Sequence, residues 1–70
     1  DNSEISNGLK KVLSYLRRGK FKIALPIAEQ LYNSAPKNQM SVIVFAWALL
    51  ENNYYKNAED LVYKMNLFEP

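Results

Sequence analysis

The sequence predicts an all-α domain of four helices, built as two copies of one helix pair. The first observation is an internal repeat: GKFKIALPIAEQLYNSAP at 19–36 returns as NYYKNAEDLVYKMNLFEP at 53–70. Phe21 and Tyr55, Ala24 and Ala58, Ala28 and Val62, Leu31 and Met65, and Pro36 and Pro70 are each 34 positions apart. A constant offset of that size marks stacked structural repeats. The second is helical spacing of apolar residues within each copy, on one side of a 3.6-residue period. The third is composition: 49% of the chain is apolar, with only two glycines and three prolines, which suits an ordered helical domain and not a disordered tail.

The elements follow in order. Asn2, Ser3 and Ser6 are candidate N-caps, because their side chains can accept from the free amides of a starting helix. Ile5, Leu9, Val12, Leu13 and Leu16 then fall at offsets 0, 4, 7, 8 and 11, one face of a first helix that Gly19 stops by taking the left-handed conformation. A second helix is expected from about Phe21 or Lys22 to Ser34, with Ile23, Ala24, Ile27, Ala28 and Leu31 inward. Pro26 opposes it, and is expected to be tolerated near the first turn, where most amides lack partners. Pro36 makes Ala35 to Asn38 a turn.

Met40 to Leu50 is ambiguous by local rules, since Val42, Ile43 and Val44 favour strands and the run is apolar on all sides. The 34-residue register decides for a helix capped near Asn38, and such a helix must be covered on more than one side. Asn53 replaces Gly19 at the next turn, as Asn visits the left-handed region more readily than other residues with a side chain. The last helix carries Ala58, Leu61, Val62 and Met65 inward, with Glu59 and Asp60 expected in its first turn near the positive end of the dipole.

Composition also bounds function. Seventy residues make one domain, 1–70, near the size at which a single core barely suffices. The chain has neither cysteine nor histidine, which removes disulfides, the usual zinc ligands and the commonest general base. No metal, cofactor or catalytic site is expected, and an enzyme is disfavoured. The longest apolar run, Val42 to Leu50, has nine residues, too few to span a bilayer. With no targeting segment, a cytoplasmic location and no membrane partner are expected; the start at Asp1 suggests a piece of a longer protein. The net charge of +2 is uneven: residues 1–38 carry +4 and residues 39–70 carry −2. Lys10, Lys11, Arg17, Arg18, Lys20 and Lys22 form the basic part. Lys10, Arg17 and Arg18 are candidate electrostatic contacts, although cations near a helix end are also explained by its dipole. A nucleic-acid contact through Lys10 to Lys22 is the weaker alternative, lacking aromatic interleaving.

Two helices per 34 residues, with Ala, a downstream apolar residue and a closing Pro, resemble the tetratricopeptide repeat. Repeat 1 spans about 5–38 and repeat 2 about 39–70. In the second unit Phe45, Ala46 and Leu49 stand at the family's Leu, Gly and Tyr positions, Val42 at its Trp, and Ala58, Val62 and Pro70 at its later Ala, aromatic and Pro. The first unit departs: Gly8 stands at the Trp position and Lys11 at the Leu position, while Tyr15 keeps the Tyr. The resemblance implies a short right-handed α-solenoid of antiparallel helices. In it the first helix of each repeat lines a concave groove for a partner's peptide or helix.

By that register the groove candidates are Ser6, Leu9, Leu13, Leu16, Met40, Ile43, Trp47 and Leu50. Family members that clamp a peptide carboxylate place Lys, Arg and Asn on this surface; Leu9, Leu13, Ile43 and Trp47 stand there instead. An apolar peptide or amphipathic helix of another protein is therefore the expected ligand, with Trp47 as anchor, in a scaffold or chaperone-like role. The competing expectations are that these residues are core, or that an uncovered groove drives self-association into a homo-oligomer.

Overall fold

The structure, a computed structural model, describes residues 2–68, with side chains placed from Ser3 to Lys64. It contains α1 (Asn2–Arg17), α2 (Phe21–Ser34), α3 (Gln39–Glu51) and α4 (Tyr55–Phe68), and no strand among the described residues. α1 packs on α2 and α3, and α3 packs on α2 and α4. The Cα trace forms a slab of 33 × 31 × 15 Å, a thickness suited to two layers of helices about 8–10 Å apart.

The repeat extends to individual hydrogen bonds. Gly19 and Asn53 both take positive φ, 77° and 68°. Behind Gly19, the Lys20 amide donates to the Tyr15 carbonyl (2.9 Å) and the Gly19 amide to that of Leu16 (3.1 Å). Behind Asn53, Tyr54 donates to Leu49 (2.8 Å) and Asn53 to Leu50 (3.0 Å). Each bond is its counterpart moved by 34 residues, and each pair closes a helix C-terminus with a six-to-one and a five-to-two bond around a left-handed residue. The two exits are the same motif.

The α2–α3 turn is held differently. Asn38 accepts the Ser41 amide on Oδ1 at 3.1 Å, the capping bond expected there. The fully buried Ser41 hydroxyl points at the carbonyls of Ala35 (2.5 Å) and Asn38 (2.8 Å). This cap starts α3 firmly enough for the strand-favouring Val42, Ile43 and Val44 to be helical. At its other end, the Asn52 amide nitrogen donates to Ala48 (2.7 Å) in α3 and to Phe21 (2.9 Å) in α2, tying the end of one repeat's first helix to the preceding second helix.

Two clusters form the core. Val12 and Leu16 of α1, Ala24, Ala28 and Leu31 of α2, and Val44 and Ala48 of α3 make the first. Val42, Ala46 and Leu49 of α3 with Ala58 and Leu61 of α4 make the second. Leu25 and Phe45 pack against both, so the apolar interior is continuous, and the Phe45 ring lies 5.2 Å from that of Tyr32. α3 is thus covered by α1 and α2 on one side and by α4 on another, as an all-round apolar helix requires. At Gly8 an added Cβ would lie 2.9 Å from Leu31 Cδ1, a close approach of α1 to α2.

Several local expectations are corrected. α1 already includes Asn2, so Ser3 and Ser6 lie within the helix and not ahead of it. Pro26 is not in the first turn: α2 begins at Phe21 with Lys20 as its cap, and the proline sits in the second turn. It leaves the Lys22 carbonyl without its helical donor, at an exposed position where water can supply one. Glu59 and Asp60 also fall beyond the first turn of α4. They approach Lys56 at 3.7 and 3.5 Å, exposed pairs of little energetic weight. The Met65 side chain and Pro70 lie outside the described residues. No described helix is long and apolar enough to cross a membrane.

Candidate functional site

α3 and α4 leave an apolar cleft between them. Val42, Ile43, Ala46, Trp47 and Leu50 line it from α3 and Val62 from α4, around a volume of about 360 Å³. The α3 residues fall at offsets 0, 1, 4, 5 and 8, a stripe on one side of the helix. Val42 and Ala46 form the buried floor, whereas Ile43, Leu50 and Val62 stand 43%, 48% and 44% exposed at the rim. Trp47 is half-buried. Its indole Nε1–H donates to Glu51 Oε2 at 3.1 Å, which fixes the ring's polar edge outward and leaves its apolar body against the cleft.

The sequence-derived groove is only partly gathered here. Ile43, Trp47 and Leu50 enter the cleft. Leu9 and Leu13 are half-buried and pack against the first core cluster, and Leu13 also borders a separate concavity. Leu16 is 3% exposed inside that cluster and is core, because Val44 and Ala48 of α3 share its pocket. Ser6 and Met40 are exposed and outside the cleft. Val42, Ala46 and Val62 were not among the sequence candidates. The repeat held the signal for them: their counterparts Gly8, Val12 and Ala28 lie on the side of the first unit against which α3 packs.

The register explains the cleft. Leu16 and Leu50 are equivalent residues, as are Ala28 and Val62. Ala28 is fully buried and Val62 is not. In the first unit that surface receives α3; in the second it is open.

The basic candidates separate into two places. Lys10, Arg17 and Arg18 border a concavity of about 480 Å³ with Leu13 and Ser14. Lys20 and Lys22 border another of about 420 Å³ together with Glu51, Asn52 and Asn53. The Lys10 to Lys22 run is therefore not one continuous patch. Among the other aromatics, Tyr54 and Tyr63 are exposed and Tyr32 flanks the core.

No family model, curated protein or solved structure matches the chain. The site's chemistry must be read from its own residues. It offers apolar surface at helical spacing, an aromatic anchor and a volume that suits a few side chains and no large cofactor.

Proposed function

We propose that this chain is a protein-interaction module of two tetratricopeptide-like repeats, a scaffold or chaperone-like segment that holds an apolar segment of another protein in the α3–α4 cleft. The observation that carries this reading is the wholly apolar lining of the cleft, with Ile43, Leu50 and Val62 left exposed around Trp47. Exposed apolar surface of this kind, concave and rimmed by side chains at helical spacing, suits a partner's apolar residues. The 34-residue register and the matching helix ends support the repeat architecture. No catalytic role is proposed, since neither histidine nor cysteine is available to do the chemistry.

Trp47 is the only tryptophan in the chain, so its emission reports on the cleft alone. Titration with a panel of apolar peptides, helical and extended, is expected to give a saturable change in that emission. Trp47→Ala is expected to abolish binding by calorimetry while leaving helicity and melting little changed. Equal loss of binding and stability would make Trp47 core, and an emission unmoved by every peptide would remove the interaction reading. The rival reading is self-association through the same rim. Light scattering on the isolated chain separates the two, because a monomer leaves the cleft for a different protein.

A further inference from the structure

The internal repeat supplies a template for what fills the cleft. Moving the first unit onto the second by 34 residues takes Gly8, Leu9, Val12, Leu13, Leu16 and Ala28 to Val42, Ile43, Ala46, Trp47, Leu50 and Val62. Those six are the lining of the cleft. In the first unit this side is occupied: Val44 and Ala48 of α3 pack there with Val12, Leu16 and Ala28. Ser41, one turn earlier on the same side of α3, is fully buried as well. The core is continuous from one unit to the next through Leu25 and Phe45, so the open cleft extends an interface already built once inside the chain.

We propose that the cleft is completed by an α-helix of a partner polypeptide lying one repeat step beyond α3, presenting small side chains at the spacing of Ser41, Val44 and Ala48. This rests on the interaction reading and adds the partner's secondary structure and side-chain size. A helix fits because the template occupant is one. Small residues fit because α3 inserts Ser, Val and Ala at this place, and short side chains let helix backbones approach closely where Leu or Phe would overfill the space.

A second copy of this chain, stacked head to tail, does not supply such a helix. Its α1 would be the inserted element, and α1 carries Asn7, Lys10 and Ser14 where α3 carries Ser41, Val44 and Ala48. Lys10 would then place an ammonium in an apolar cleft with no carboxylate in its lining, at a high desolvation cost. The small-residue sides of α2 and α3, with Ala24, Ala28, Val44 and Ala48 all at 0% exposure, are already used. The helix must therefore come from a different sequence.

Three synthetic peptides of equal length and charge test this by Trp47 emission. The first is a stapled helix with Ser, Val and Ala at the spacing of Ser41, Val44 and Ala48 and Lys and Glu elsewhere. The second has Leu at the Val and Ala positions. The third has the composition of the first, with prolines replacing the staple to keep it extended. The first is expected to bind saturably, the second roughly tenfold or more weakly, and the third not at all. Val62→Lys, at an exposed rim position, is expected to remove binding of the first with the far-ultraviolet spectrum unchanged. Equal binding of the second or third peptide overturns this proposal and leaves the interaction module standing. Silence from all three, with other apolar peptides also silent, overturns both. A dimer by light scattering that Val62→Lys dissociates would make a second copy, packed face to face, the occupant, and would also overturn the proposal.

Discussion

Gly19 and Asn53 share one backbone conformation and differ only in what that conformation costs. At Gly19 nothing lies within 4 Å of a built Cβ, so substitution there is a purely backbone experiment. Gly19→Val is expected to destabilise the fold by about 1–2 kcal/mol through left-handed strain, and Gly19→Asn by well under 1 kcal/mol, as Asn53 already shows the motif accepts. Urea denaturation of the two variants measures the difference; equal losses would mean that strain is not the cause. This pair was legible because Gly and Asn at a 34-residue offset are local signals. Asn52 was not, since its value lies in a bond to Phe21, 31 residues away, that no local rule anticipates. Leu16 and Leu50 also read alike in sequence. Their contrast, 3% against 48% exposed, comes from a neighbour present in one repeat and open in the other.

At the scale of elements, α2 and α3 show where local propensity yields and where it costs. α3 is helical despite its Val-Ile-Val run, because a side-chain cap starts it and packing from two directions rewards it. The repeat register foresaw this where propensity did not. α2 keeps its helix across Pro26, and the register foresaw the span but not that the proline would fall in the second turn. Restoring the amide lets residue 26 bond the Lys22 carbonyl and removes a ring clash, together worth up to about 3 kcal/mol. Two effects reduce the gain: the loss of proline's restraint on the unfolded chain, about 0.4–1 kcal/mol, and the access of water to an exposed turn. Pro26→Ala is therefore expected to stabilise the domain by about 1–2 kcal/mol, read as a higher denaturation midpoint at unchanged slope. A neutral or destabilising result would show that the second turn of α2 is already relaxed around the ring.

At the scale of the whole molecule, the two ends of the slab differ in kind. The outward side of α1 carries Asn7, Lys10 and Ser14, and the α3–α4 end carries Ile43, Leu50 and Val62. The sequence made the architecture visible through its repeat. It hid the site because a groove assigned from one helix per unit omits the α4 wall, Val62, and includes residues that α3 covers. The asymmetry predicts how stability responds to a ligand. A domain of this length has little core to spare, so occupation of the open end should register strongly in its melting. A helix that binds only the folded chain adds about 2.7 kcal/mol at a hundred times its dissociation constant. At about 4–8 °C per kcal/mol for a domain this small, the midpoint should rise by roughly 10–20 °C. Val62→Lys should abolish that shift while leaving the unliganded midpoint within a few degrees, because Val62 loses little burial by the change. Calorimetry of both proteins with and without the small-faced helix measures it. An equal rise in the variant would place the peptide elsewhere on the surface, since a helix seated between α3 and α4 cannot ignore a lysine at its wall.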